Sequence, residues 1–189
     1  MAPHVEDVEI VELGPEHRDA LVRFFTELPE GDLTFIEEDV TDPAAVRSWT
    51  EPGGHTSRWV AVDTRDGAVA GFVAVRPLPG WSDHVGEIRL VVHPARRGGG
   101  LGRELARHAL VRAVEAGRSK LVVEVVADQQ PALALFTALG FTGEALLRDH
   151  VRDRDGKLRD LLVLAHYVDD SWSGMTTLGL PGELGQEPG

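Results

Sequence analysis

The sequence predicts an α/β (α+β) domain of six to seven strands and about four helices. Three observations predict it. A short β-branched run, Glu87 to Pro94, leads through a glycine-rich turn into a segment where Leu101, Leu105, Ala109 and Ala113 fall four apart, the spacing of one helix face. Asp66-Gly67 stands between two apolar runs and Asp153-Arg154-Asp155-Gly156 between two more, the pattern of hairpins. Three further segments, 15–28, 42–49 and 131–139, carry helical start and stop signals.

Taken in order, Val8 to Leu13 alternates as a first strand and ends at Gly14-Pro15. Pro15 and Glu16 open a helix bearing Leu21, Val22, Phe24, Phe25 and Leu28, which stops at Pro29. Glu30-Gly31-Asp32 reads as a loop, and Leu33 to Glu38 fits either helix or extended chain. Asp42 caps a short helix with Pro43 at its first position, running through Trp49 until Glu51-Pro52-Gly53-Gly54 breaks it. Arg58–Val62 and Ala68–Val75 form a hairpin, and Gly71 marks a bulge or a close backbone approach. The central strand follows, then a helix from Gly102 to Ala116 ended by Gly117. Leu121 to Val126 is nearly continuously apolar, the pattern of a strand buried on both faces. A helix on Ala132, Leu133, Leu135, Phe136 and Leu139 is capped by Gly140. Strands from Phe141 to Val151 and from Leu158 to Val168 close the domain, the latter interior to the sheet because Leu161 to Ala165 is apolar throughout. Residues 1–168 thus form one domain, and 169–189 read as a flexible Gly/Pro-containing tail, with Trp172 free to dock on the body or a second subunit.

Nineteen basic against 31 acidic residues give a net charge of -12, which argues against nucleic acid and anionic membrane as partners. No window is apolar over a bilayer-spanning length, and Met1 to Asp7 lacks the basic and apolar regions of a secretory signal, so a cytoplasmic location is expected. With no cysteine, disulfides, thiolate metal sites and a cysteine nucleophile are excluded. Against the acidic background, Arg96, Arg97, Arg103 and Arg107 gather around the glycine turn, a local patch suited to a small polyanion; Arg103 and Arg107 also suit a solvated helix face.

A strand, a glycine turn and a helix together point unsatisfied N–H groups and the positive helix end at one concavity, the arrangement that binds phosphate. Spacing separates the candidate loops. No Gly-Lys-Ser/Thr triplet exists for a nucleoside triphosphate, and Arg103 stands where a dinucleotide fingerprint needs its third glycine. What fits is Arg-x-x-Gly-x-Gly, as Arg97, Gly100 and Gly102; a ligand-free glycine cap is the plain alternative. Here the chain resembles the GNAT superfamily of N-acetyltransferases, whose signature is this motif between strand and helix. A second block, Ala127 to Phe141, is similar to that family's Asn-x-x-Ala, Leu-Tyr, Gly-Phe pattern at Ala132, Leu135 and Gly140-Phe141, and departs from it at Gln129 and Phe136. Together the blocks extend the resemblance over Val8 to Val168.

The resemblance implies a mixed, mostly antiparallel sheet with splayed central strands, acetyl-coenzyme A as cosubstrate, and direct transfer of the acetyl group to a primary amine in a ternary complex. It assigns the cofactor cradle to Arg97, Gly98, Gly99, Gly100, Leu101, Gly102 and Arg103, the pantetheine arm to Leu90, Val91 and Val92, and the oxyanion donor to the Val92 main-chain N–H. Gln129 and Phe136 fall beside the cofactor. Phe136 has no proton for the leaving thiolate, where many relatives carry a tyrosine. Tyr167 is the one tyrosine that could replace it, although rim packing suits it better.

For the general base, Glu87 is the first choice, against a plain ion pair with Arg89; His84, His93 and Asp160 are further candidates. His150 and His166 show no metal-ligand spacing, so no metal is expected. Glu30, Asp32, Glu37, Glu38 and Asp39 fall where relatives line the acceptor groove, pointing to a cationic acceptor or simply to a solvated acidic loop. The rival reading is a non-catalytic acyl-coenzyme A sensor, as monomer or homodimer.

Overall fold

A computed structural model describes residues 7–33, 36, 38–51 and 53–168. The expected tail, 169–189, and Glu37 lie outside the described residues. Seven strands form one sheet: β1 (Val8–Glu12), β2 (Ser57–Asp63), β3 (Val69–Pro77), β4 (Val85–Val92), β5 (Lys120–Val126), β6 (Thr142–Arg152) and β7 (Leu158–Tyr167), in the order β1-β2-β3-β4-β5-β7-β6. Every pairing is antiparallel except β4 with β5. That parallel pair requires a crossover, supplied by α4 (Leu101–Glu115).

The remaining helices are α1 (Arg18–Thr26), α2 (Glu30–Leu33), α3 (Pro43–Ser48) and α5 (Gln130–Ala138). Helix α1 stops at Thr26, ahead of the expected end at Pro29, and the single turn α2 replaces the loop expected at Glu30-Gly31-Asp32, with the Asp32 and Leu33 N–H groups donating to the Pro29 carbonyl. Asp42 caps α3 as expected, its carboxylate accepting the Ala44 N–H at 2.8 Å.

Two cores sandwich the sheet. On one face Leu101, Leu105, Ala109 and Ala113 of α4 pack with Phe136 and Leu139 against Val73, Val75, Ile88, Leu121, Val123 and Val125. On the other, Leu21, Phe24 and Phe25 of α1 and Val46 of α3 pack on Val60, Phe72 and Ala74, with Val91 beside them. Gly71 fills both roles expected of it. The β2–β3 register slips beside it, between Ala61 and Val62, and a Cβ there would stand 2.6 Å from Leu105 Cδ1 and 3.3 Å from the Val91 carbonyl oxygen. Helix α4 can lie this close to the sheet because position 71 has no side chain.

β7 is interior, as expected, between β5 and β6. β5 corrects the expectation of burial on both faces: Leu121, Val123 and Val125 are buried under α4 and α5, while Val122 is half-buried and Glu124 is exposed. Strand alternation sends Glu124 to the opposite face, which α1 and α3 cover only as far as β4.

Candidate active site

β4 and β5 pair only from Val85–Lys120 to Ile88–Val123. Beyond that rung Arg89–Val92 and Glu124–Val126 diverge. The β4–β3 register decides which groups face the opening. His93 N–H donates to the Ala70 carbonyl at 3.0 Å and Leu78 N–H to the Val85 carbonyl at 3.0 Å, so the odd-numbered residues of β4 bond to β3. The even-numbered Leu90 and Val92 therefore direct their N–H and C=O groups into the gap. The Val92 carbonyl confirms the direction by accepting Arg97 Nε–H at 3.1 Å.

The gap opens into a cleft of about 460 Å³. Its floor is Ile88–Val92 and Val123–Val125, one end is Gly98, Gly100, Gly102 and Arg103, and α5 supplies Ala132, Leu135 and Phe136, with Gln129 at its N-cap. Past Val92 the chain turns through Pro94–Arg96, where the His93 ring accepts the Ala95 N–H at 3.2 Å, and enters the glycine loop. Gly98 (φ +79°) and Gly100 (φ +91°) occupy the left-handed region, which side chains resist, and Gly100 caps α4 without a side chain. The Arg103 and Glu104 N–H groups turn back to the Gly100 carbonyl at 3.0 and 3.2 Å, and the earlier amides of Leu101 and Gly102 are left to whatever lies in front of them. At Gly102 a Cβ would come within 3.5 Å of Val92 and 3.6 Å of Leu135, so the absent side chain keeps the passage open. This cradle fits a diphosphate joined to a slender extended arm.

Of the residues singled out from the sequence, the structure brings Leu90, Val91, Val92, Arg97, Gly98, Gly100, Gly102, Arg103, Gln129 and Phe136 to one cleft. Gly99 is half-buried in the turn, and Leu101 is buried under it in the α4 core. Phe136 is buried edge-on to Phe141, ring centroids 5.3 Å apart. The guanidinium of Arg97 is turned across the cleft mouth, donating to both carboxylate oxygens of Asp32 at 3.2 and 2.9 Å. Arg96 leaves the expected basic patch: it pairs with Asp63, a carboxylate 1% exposed that also binds Arg65.

Glu87 does not line the cleft. It is 4% exposed, with its carboxylate committed to Arg76, whose Nε donates at 3.0 Å, and to Arg89. Where the strands splay, the carboxylate in the cleft is instead Glu124, one rung past the last β4–β5 pair and 3.9 Å from Arg89 Nη1. A chain of ionised groups, Arg76–Glu87–Arg89–Glu124, so crosses from β3 through β4 to β5. Glu124 was missed because it sits in a run that reads as buried; the signal was its charge at the one break in Leu121–Val126.

The other candidates are engaged elsewhere. His84 is exposed before β4, its carbonyl accepting Ser119 and Lys120 N–H groups. Asp160 accepts the Asp149 N–H at 2.8 Å in the β6–β7 hairpin. Tyr167 lies at the paired end of β5, opposite Lys120, its hydroxyl donating to Glu144 at 2.7 Å. This contact with Lys120 and Tyr167 holds the Glu144 carboxyl below its ordinary value, the lysine first. Of the acidic group, Asp32 and Glu38 line the cleft, Glu30 pairs with Arg154 of the β6–β7 hairpin at 3.6 Å, and Asp39 accepts from its neighbour Thr41, whose hydroxyl keeps that carboxyl ionised to lower pH. His166 is buried against Phe141, and burial pushes its imidazole below the usual range. Among the described residues no cluster of His, Asp or Glu is arranged to hold a metal, and no helix is long and apolar enough to cross a membrane.

Comparison with known proteins supplies context. The sequence profile of the acetyltransferase (GNAT) family matches residues 19–141. The chain is 34% identical over 145 residues to a mycothiol acetyltransferase of Catenulispora acidiphila, covering 74% of this chain and 41% of that one. It is 32% identical over 122 residues to a streptothricin acetyltransferase of Streptomyces lavendulae, covering 59% and 64%. The chain thus spans two-fifths to under two-thirds of these relatives. Among solved structures, the ribosomal-protein-S5-alanine acetyltransferase from Vibrio fischeri superposes with a TM-score of 0.77 at 13% identity over 87% of this chain and 94% of that one. A Salmonella typhimurium protein solved with its cofactor acetyl-CoA gives 0.72 at 19% over 87% and 95%.

Proposed function

This chain belongs to the acetyltransferase (GNAT) family, and from that premise we propose that it transfers an acetyl group from acetyl-coenzyme A to a primary amine of cationic character. The observation that carries the reading is the splayed β4–β5 pair, whose freed Leu90 and Val92 amides lie in the same cleft as the glycine loop. The main chain from Gly98 to Arg103 would hold the diphosphate, with Leu90–Val92 and α5 flanking the arm. When bound, acetyl-coenzyme A supplies a thioester carbonyl and a thiolate leaving group.

The protein's own groups divide the work. The Val92 N–H, which faces the gap, would donate to the carbonyl oxygen on which negative charge develops, and such preorganised donors act best in a cleft that excludes water. The cleft walls hold an amine in reach of that carbonyl, which converts an encounter into an intramolecular event. An ammonium must first lose a proton, and Glu124 is placed to take it. Arg89, anchored by Glu87, fixes the Glu124 carboxylate, so Glu87 acts as a positioning residue. Phe136 offers no proton and Tyr167 lies at the far end of the sheet; solvent therefore protonates the departing thiolate. General acid catalysis typically contributes about 100- to 10,000-fold, so its absence slows the step without preventing it. The same absence is what favours the alternative, a non-catalytic acyl-coenzyme A sensor.

Incubation with acetyl-coenzyme A and a panel of primary amines, following free thiol, tests the proposal. Thiol release above the hydrolysis background supports acyl transfer. Tight binding of coenzyme A with no amine-dependent release supports the sensor.

A further inference from the structure

We propose that the acceptor is a monoamine on a compact aryl or branched alkyl body, lacking a carboxylate. The inference rests on the acyl-transfer reading and concerns the arm of the cleft facing α1 and α3. Three rings wall that arm, Phe25, Trp49 and Phe72, with centroids 5.4–5.6 Å apart. Trp49 is half-buried and fixed from several directions: it stacks on Phe72 at 28°, meets Phe25 edge-on at 88°, and carries the Arg58 guanidinium 5.4 Å from its ring centre. Half-buried Ile36 and Val91 extend the same apolar wall. Phe25 and Phe72 are only 2% and 4% exposed and back the wall, so the surface offered to a ligand is the half-buried strip of Trp49, Ile36 and Val91, which gains by covering itself with an apolar body.

The charges decide what that body carries. Arg89 is the cation on this side of the cleft floor, and it stands between two carboxylates, Glu87 and Glu124. With Arg76, which shares Glu87, the network holds two cations and two carboxylates, so each of its cations is already matched. Arg97 is paired bidentate with Asp32, and Arg103 stands in the first turn of α4 beside the phosphate cradle. A substrate carboxylate beside the reacting nitrogen would compete with Glu124 for a cation already matched, whereas an ammonium meets Glu124 directly. At the outer end Glu38 lines the cleft, and the Arg58 guanidinium stacked on Trp49 already brings a cation to that wall, so the acceptor needs no second cationic group there.

Three acceptors with one body separate the possibilities: 2-phenylethylamine, L-phenylalanine, which adds a carboxylate, and L-phenylalaninamide, which adds the bulk without the charge. We expect kcat/KM for phenylethylamine at least tenfold above phenylalanine, with the amide near the amine. Calorimetry in the presence of desulfo-coenzyme A should show the same order of binding without any turnover. Trp49→Ala should raise KM for phenylethylamine at least tenfold and leave desulfo-coenzyme A affinity unchanged. Equal or better use of phenylalanine, or preference for spermidine or a lysine peptide, overturns this inference and leaves acyl transfer standing. If no amine reacts, acyl transfer itself fails and the acceptor assignment falls with it, even where phenylethylamine binds beside desulfo-coenzyme A.

Discussion

Replacing Glu124 and Glu87 separately by glutamine separates proton removal from scaffolding. Glu124 is a partly exposed cleft residue with a long 3.9 Å contact to Arg89, so Glu124→Gln leaves the packing intact and the thermal midpoint within about 2 °C. If Glu124 accepts the amine proton, kcat falls about 100- to 10,000-fold, equivalent to roughly 2.7–5.5 kcal/mol of barrier. Glu87 is the reverse case. Breaking a buried ion pair costs about 3–5 kcal/mol, but Arg76 is half-exposed and glutamine keeps an accepting oxygen, so about 2–3 kcal/mol is the expected loss for Glu87→Gln. In a domain of this size that lowers the midpoint by about 4–12 °C. At a temperature where the variant is folded, kcat should fall less than about tenfold, because Arg89 survives beside Glu124. Steady-state rates across pH and thermal melts of both variants provide the assay. A Glu124→Gln enzyme with wild-type kcat, beside a Glu87→Gln enzyme that is stable but more than 100-fold slower, would refute the reasoning and make Glu87 the base.

Three further outcomes follow from the same geometry. Gly100→Val forces a branched residue to φ +91°, which costs about 1–2 kcal/mol or more, so the midpoint should drop by at least about 2–8 °C and desulfo-coenzyme A binding by calorimetry should be lost. Asp32→Ala releases Arg97 from an exposed pair worth about 0.2–1 kcal/mol, and desulfo-coenzyme A should bind up to about fivefold tighter, the gain fading at high salt; weaker binding would show that Arg97 does not face the diphosphate. His166 has its imidazole pushed below 6.5 by burial, so below that pH the unfolded chain takes up a proton that the folded one refuses and stability falls. His166→Leu should flatten the decline of the thermal midpoint as pH falls below about 6.5, and identical pH profiles for both proteins would contradict this.

The local elements were legible because local chemistry makes them. The four-residue spacing of α4, the Asp42-Pro43 cap and the Asp66-Gly67 turn carry their geometry within a few neighbouring residues. The cleft was legible along β4 and the glycine loop for the same reason: one short stretch contains both. What failed to show were facts of pairing between distant strands. Glu87 and Glu124 are both acids in apolar strands, and nothing within either strand reveals that the β4–β5 ladder ends at Ile88–Val123, putting one on the covered side of the last rung and the other on its open side. Arg96 and Arg97 are neighbours of one type, yet one turns to Asp63 and the other to Asp32, partners 33 and 65 residues away. Tyr167 looked available as an acid until the register placed it opposite Lys120.

The early end of the β4–β5 ladder has a thermodynamic side. Four rungs, the last of them Ile88–Val123, tie β1–β4 to β5–β7; above it each flank ends in a raw inner margin of main-chain donors and acceptors. A molecule seated there serves as a missing strand, stitching two halves of the domain to each other. Its binding energy is then folding energy, adding RT ln(1 + [L]/Kd) to stability, so on the proposed reading the protein's resistance to heat and proteases should track the supply of acetyl-coenzyme A.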